Sequence, residues 1–152
     1  MKTALIALAT TLALATPALS QTLIDGSDLD TIINAARGFG AASLQEGEDS
    51  PTARGRIDGE PYYMFFRNCN ESKKCDDFYF QTYFLKPVVD MELVNAWNRD
   101  KRWLKVYYDN DGDAVLEMDV DLTGGVTPAN LDQAFSYWSL GLEQFAGYFE
   151  KK

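Results

Sequence analysis

The stretch FFRNCNESKKCDDFYF, residues 65–80, holds both cysteines of the 152-residue chain, between two runs of aromatic residues. Five residues separate Cys69 from Cys75. If Tyr62–Arg67 and Asp77–Phe84 pair as antiparallel strands, the two cysteines lie opposite one another, at a separation that a disulfide can span. The sequence therefore predicts an aromatic β-hairpin closed by a Cys69–Cys75 disulfide.

Two other roles for the cysteines fit the sequence less well. A zinc site needs four ligands, and because the chain has no histidine, carboxylates would have to complete it. A redox pair usually has two residues between its cysteines at the start of a helix, whereas five residues and strand-like flanks occur here. A structural disulfide is the default interpretation for an exported chain.

Residues 1–20 have the layout of a secretory signal peptide, which is the reason to expect export. Lys2 is followed by an uncharged run rich in alanine and leucine, and then by the sequence PALS at residues 17–20. The run is too short to cross a bilayer, and Gln21 after the expected cleavage point does not provide the cysteine of a lipid anchor. We expect residues 21–152 to form one domain that is exported across the inner membrane to the periplasm.

The chain is acidic, with 23 Asp and Glu against 14 Lys and Arg and a net charge of −9. Cleavage after residue 20 would leave a net charge of −10, since the removed segment holds one lysine and no acidic residue. Such a surface repels nucleic acid and anionic lipid. We expect a protein or peptide partner that is cationic where it is charged, without nucleic acid binding or stable membrane insertion; a homodimer is also compatible with the sequence.

Apolar spacing and capping residues predict three helices, the first capped by Ser27 or Asp28, the second capped by Asp90 and the third beginning at Pro128. A short strand at Arg54–Ile57 precedes the aromatic hairpin. With a second hairpin after the middle helix, the sequence predicts an α+β fold, in which an antiparallel sheet of about five strands packs against helices in the order α-β-β-β-α-β-β-α. The residues expected to face the core are Phe78, Phe80, Phe84, Met91, Val94, Trp97, Leu131, Phe135, Trp138, Leu142, Phe145 and Phe149.

The register of the second hairpin follows from its apolar pattern. If Trp103–Tyr108 and Ala114–Leu122 each bury alternate residues, a three-residue loop with Gly112 in the left-handed region joins them. This register brings apolar residues together on one side and opposite charges together on the other. The predicted cross-strand pairs are Leu104 with Met118, Val106 with Leu116, Lys105 with Glu117, and Lys101 with Asp121.

Two tyrosine-bearing surfaces are candidate binding sites. On the second strand of the cysteine hairpin, Tyr79 and Tyr83 alternate with the core phenylalanines and share their face with Gln81, so we expect that face to be wetter. On the last helix, a more polar ridge that contains Tyr137 and Tyr148 lies beside the apolar stripe.

The sequence offers little catalytic chemistry. The absence of histidine excludes Ser-His-Asp and Cys-His arrangements. The Asp109–Asp113 segment resembles a calcium loop, but carboxylates are missing at its first and last positions. Glu117, Asp119 and Asp121 share one strand face, where lysines are predicted as neighbours. We expect no enzyme, metal or cofactor; the alternative is a divalent-cation binder or hydrolase that uses one of these acidic groups.

Several separated motifs resemble the YbjN-domain proteins in their order. They are Asn95-Ala96-Trp97-Asn98, Tyr107–Asp113 and Asp119–Thr127, followed by a helix with Trp138 and Phe145. The resemblance extends over roughly residues 29–149. It implies a fold similar to type III secretion chaperones and a role as a sensory transduction regulator, without catalytic residues. The signature positions that it carries over are Asn95, Trp97, Asn98, Asp111, Gly112, Gly124 and Gly125.

The resemblance assigns no role to these signature positions. From their place in the chain, we expect Trp97 in the core and Asn95 and Asn98 as hydrogen-bond partners of neighbouring loops. Many members of the family look cytoplasmic, whereas this chain has a signal sequence and a predicted disulfide. Together the observations predict an exported, non-enzymatic binding or chaperone-like regulatory module of the bacterial cell envelope.

Overall fold

The computed structural model describes residues 22–45, 47, 50–84 and 90–149, so the predicted signal peptide lies outside the described residues. Within these ranges the predicted α+β class is confirmed, with three helices and a six-stranded antiparallel sheet. In chain order the elements are α1 (Leu29–Arg37), β1 (Ala41–Gln45), β2 (Thr52–Ile57), β3 (Glu60–Arg67), β4 (Asp77–Phe84), α2 (Met91–Asp100), β5 (Lys105–Tyr108), β6 (Ala114–Asp121) and α3 (Pro128–Phe149).

The sheet has the strand order β1-β2-β3-β4-β6-β5, so α2 connects β4 to a strand at the far edge. One strand is additional to those predicted: β1 pairs along its whole length with β2. Its sequence, AASLQ, has no β-branched or aromatic residue and no apolar alternation, and it is a strand because β2 is beside it. The sheet therefore begins one strand earlier than the sequence indicated.

The core lies between one face of the sheet and the helices, and its centre is aromatic. Phe80 of β4 stacks on Trp138 of α3 with ring centroids 5.0 Å apart, and it meets Phe135 edge-on at the same separation. Phe80 also contacts the rings of Tyr62 and Phe78. The predicted apolar stripe of α3 is buried where the structure describes its side chains; Phe149 is outside that part.

The prediction for α2 was wrong at Met91, which is 55% exposed, and right at Val94 and Trp97, which are buried. A spacing of three residues advances only about 300° around a helix, so each member of the series is rotated by about 60° from the last. Met91 is therefore turned away from the sheet when Trp97 faces it.

The second hairpin has the predicted register, with Val106 opposite Leu116 and an ion pair of 2.6 Å between Lys105 and Glu117. Gly112 is in the left-handed region, with φ of 85°. The expected start of the strand at Trp103 was wrong, because Trp103 has a φ of 74° and β5 begins at Lys105.

The predicted pair of Lys101 with Asp121 was also wrong. Lys101 follows the last residue of α2, and its ammonium group donates a hydrogen bond of 2.7 Å to Gln144 of α3. Leu104 is buried but precedes β5, so it forms no ladder pair with Met118. The prediction had extended the strand back to Trp103, whereas residues 101–104 leave α2 without joining the sheet.

The disulfide hairpin is attached to the start of the described chain. Cys69 and Cys75 are bonded, just beyond the last ladder pair of β3 with β4. The amide of Cys75 donates to the carbonyl of Gly26 at 3.1 Å, and Lys74 forms an ion pair of 2.7 Å with Asp25. The hydrogen bond with Lys74 and two with Ser27 hold the pKa of the Asp25 carboxyl well below its usual value.

Candidate functional site

The face of the sheet that does not take part in the core, here called the outer face, carries five aromatic side chains. The rings of Phe65 and Tyr79 are stacked across β3 and β4 with centroids 5.0 Å apart, and Tyr63 meets Tyr83 edge-on at 6.2 Å. Tyr83 is 37% exposed and the others are half-buried. The aromatic residues of the outer face are Tyr63, Phe65, Tyr79, Tyr83 and Tyr107.

A buried polar network lies among these aromatic residues. Gln81 is on the outer face as predicted, but it is buried, and its amide donates to Glu117 and to the hydroxyl of Tyr107, each at 3.0 Å. The hydroxyl of Tyr107 donates to the same Glu117 oxygen at 2.7 Å, and Tyr83 donates to the amide oxygen of Gln81. With Lys105 on its other oxygen, both oxygens of the Glu117 carboxylate have partners within the protein.

The tyrosines of this network are neutral hydrogen-bond donors at physiological pH. Burial raises the pKa of Tyr107 strongly, and the hydrogen bond to the Glu117 carboxylate adds to this effect because a phenolate would lose that bond. Burial also raises the pKa of Tyr83. These hydroxyl groups are therefore poor candidates for acid–base chemistry.

Three arginines lie on the β2 and β3 side of the outer face. Arg54 lies over the ring of Tyr63 and Arg67 over the ring of Tyr79, each 5.2 Å from the ring centroid, and both donate to the tyrosine hydroxyl. Arg56 donates to the carbonyl of Gly59. Within the part of the chain that the structure describes, none of the three arginines has a carboxylate within 4.0 Å.

Two of the acidic candidates, Asp109 and Asp121, hold the protein's own backbone. One oxygen of Asp109 accepts hydrogen bonds from the amides of Asp111 and Asp113, at 3.0 and 2.9 Å, which fixes the β5–β6 loop. Asp121 caps the next turn by accepting from the amide of Thr123 at 2.8 Å. Across the described ranges, no three Asp, Glu, His or Cys residues are placed to hold a metal ion together.

The ridge on α3 is on the other side of the sheet, so the structure does not bring its tyrosines to Tyr79 and Tyr83. Tyr137 stacks almost parallel on Trp103, with centroids 5.2 Å apart, and Tyr148 packs edge-on against Trp97 at 5.3 Å. Trp103 is 63% exposed, which the sequence did not indicate because the prediction had placed it in a strand.

Comparison with family models gives a match over residues 28–151, to YbjN, described as "Putative bacterial sensory transduction regulator". The chain belongs to the YbjN family. The comparison with curated proteins finds no match. The resemblance found in the sequence is thereby confirmed, and the family description is consistent with a regulatory or binding module.

The YbjN signature residue with the clearest structural role is Asn98. Its side-chain amide donates to the carbonyl of Val106 and accepts from the amide of Val106, both at 2.9 Å. Since these Val106 groups point away from β6, Asn98 takes the place of a further strand at the edge of the sheet. Asn95 lies one turn earlier and is exposed, and its side chain makes no hydrogen bond to any residue that the structure describes.

We expect Asn98→Ala to lower the free energy of unfolding of this YbjN domain by about 1.5 kcal/mol, because both backbone groups of buried Val106 would lose their partner. Urea unfolding followed by circular dichroism measures the change. Asn95→Ala is the matched control on the same helix and is expected to stay within about 0.5 kcal/mol of the parent. Equal effects of the two substitutions would contradict the edge-capping role.

Proposed function

We propose that this protein is a non-enzymatic, chaperone-like or regulatory binding module of the bacterial cell envelope, which holds a protein or peptide partner on its outer face. The observation that carries the proposal is the set of five aromatic side chains on a sheet face that does not take part in the core. Tyrosine and arginine are enriched at the energetically important positions of protein interfaces, and the outer face presents both.

The chemistry of the site supports binding without catalysis. The hydroxyl groups of Tyr83 and Tyr107 keep their protons, and the Glu117 carboxylate is engaged by Lys105, Tyr107 and Gln81. In the β5–β6 loop, the carboxylate of Asp109 is likewise engaged by the backbone amides of Asp111 and Asp113. Among the described residues, no cluster of three Asp, Glu, His or Cys favours the cation-binding alternative.

The envelope location is supported by two independent features. The N-terminal twenty residues have the signal-peptide layout, and the Cys69–Cys75 disulfide is of a kind that persists in oxidising compartments. In the described part of the chain, no helix has the length and hydrophobicity needed to span a bilayer. An N-terminus at Gln21 in protein isolated from the envelope would support cleavage and export.

The outer face is preferred over the α3 ridge as the partner site. Tyr137 and Tyr148 are half-buried against tryptophan rings, whereas Tyr83 is 37% exposed although its ring meets that of Tyr63. The tyrosines of the outer face also form a continuous surface across β3 and β4, which an extended partner can follow.

Site-specific photocrosslinking in intact cells tests this function. A benzophenone amino acid at position 83 is expected to capture a defined partner, and the same group at exposed Glu92 of α2 is not. The variant Tyr79→Ala with Tyr63→Ala should reduce the yield at position 83 several-fold, since tyrosines that a partner covers are typical interface hot spots. The proposal is wrong if positions 83 and 92 give the same adducts, or if position 83 gives none.

A further inference from the structure

The most informative feature of the outer face is a shallow depression between β1 and β3. It has a volume of about 410 Å³ and an open mouth. Its side walls are the side chains of Arg54, Arg56 and Tyr63, while Ala41 and Ser43 of β1 are too small to fill it. The backbone at Gly55 lies between the two arginines. The depression therefore lies over β2, with the small side chains of β1 on one side and Tyr63 of β3 on the other.

Arg54 and Arg56 point to the same side of β2 because they are two residues apart, which separates their positions by about 6.8 Å. A guanidinium group has five N–H donors. Arg54 gives one to the hydroxyl of Tyr63 and Arg56 gives one to the carbonyl of Gly59. Both groups retain donors for the paired hydrogen bonds that a carboxylate accepts.

The charge around the depression is opposite to that of the whole chain. The protein has 23 acidic and 14 basic residues, yet these arginines have no carboxylate partner among the described residues. The acidic side chains that the strands place on the outer face, Asp77, Glu117, Asp119 and Asp121, lie on β4 and β6. The net charge would select a cationic partner, but the charge nearest to this depression selects an anionic one.

We propose that the depression binds an extended acidic segment of a partner protein, in which two carboxylates separated by one residue contact Arg54 and Arg56. In an extended chain, side chains two residues apart point the same way, with the spacing of the two arginines. The intervening residue points away, and flanking apolar residues contact Tyr63 and the other aromatic side chains of the outer face. This inference rests on the proposed binding function and names the chemistry of the partner.

A protein segment fits this site better than a polyanion does. Polyphosphate or an anionic membrane carries dense charge over a long distance, and the net charge of −9 and the acidic side chains on β4 and β6 repel it. A short acidic motif needs only the local positive charge of β2. Its apolar neighbours also gain contact with the tyrosines, which a polyphosphate chain cannot use.

Fluorescence anisotropy with labelled peptides tests the inference on the full mature chain. The probe is a short peptide in which two glutamates flank one leucine, and its isomer has the same two glutamates adjacent. We expect the probe to bind more tightly than the isomer, and Arg54→Gln with Arg56→Gln to weaken it about tenfold. Arg99→Gln with Arg102→Gln removes the same charge elsewhere and is expected to change the affinity less than about twofold.

The outcomes separate this inference from the proposed function. Equal affinity of the two peptides, equal effects of the two arginine pairs, or stronger competition by polyphosphate or by phosphatidylglycerol vesicles would overturn the acidic-segment inference. If the partner crosslinked at position 83 is captured equally by the Arg54→Gln/Arg56→Gln variant, the inference is wrong while the proposed function stands. If the peptide result is as expected and position 83 captures nothing, the proposed function is wrong.

Discussion

Phe80→Ala is expected to lower the free energy of unfolding by about 4 kcal/mol, the largest effect of any single substitution considered for this protein. The ring of Phe80 is fully buried and contacts four other aromatic rings, including Trp138 of α3. Its removal leaves a cavity between the sheet and the helix, with the loss of both hydrophobic burial and ring contacts. For a domain of ordinary stability this is a large share of the total.

Denaturant unfolding followed by tryptophan fluorescence measures this change. Tyr83→Ala is the matched control on the same strand, because its side chain points to the outer face and is partly exposed. We expect the control to change the unfolding free energy by no more than about 1 kcal/mol. If both substitutions lower the free energy of unfolding by similar amounts, the two faces of the sheet do not differ in burial as the structure indicates.

Removal of the disulfide, in Cys69→Ala with Cys75→Ala, is expected to lower the free energy of unfolding by about 2 kcal/mol. The bond closes a short ring and so restricts the unfolded chain. The backbone amide of residue 75 should also exchange faster with solvent, because its hydrogen bond to the carbonyl of Gly26 depends on the disulfide holding the hairpin. Hydrogen exchange at Phe80, in the centre of β4, is the internal control.

The parent protein with and without reductant gives a second measure of the disulfide. We expect the reduced parent to match the double alanine variant in stability and in exchange at position 75. If reduction leaves the stability and the exchange at position 75 unchanged, the disulfide contributes nothing to the fold. It then no longer supports a location in an oxidising compartment.

The parts of the fold that the sequence predicted are those that local patterns determine. A period of two fixes which face each residue of β4 and β6 occupies, and the apolar register alone placed Lys105 opposite Glu117. β1 was not predicted, because its sequence has no strand pattern and depends on pairing with β2. Trp103 was misplaced, because nothing local signals a left-handed conformation for a tryptophan.

The candidate site was predicted only in outline. Alternation put Tyr79, Gln81 and Tyr83 on one face, but it could not show that Gln81 is buried by its neighbours. The net charge indicated an acidic surface, but it could not show that the arginines of the outer face lie on β2 and β3 and its carboxylates on β4 and β6. Arg54 and Arg56 emerge as a pair only once β1, with its small side chains, is known to lie beside them.

The contact between Gly26 and Cys75 limits when the N-terminal segment can pack during folding. A β-carbon at position 26 would lie 1.8 Å from the carbonyl oxygen of Cys75, so only glycine permits the contact, and Ile24 pairs with Val126 close by. Both contacts join the first described residues to segments synthesised much later, and such distant pairings form slowly. These contacts of the N-terminal segment therefore cannot form until residues 75 and 126 have been synthesised.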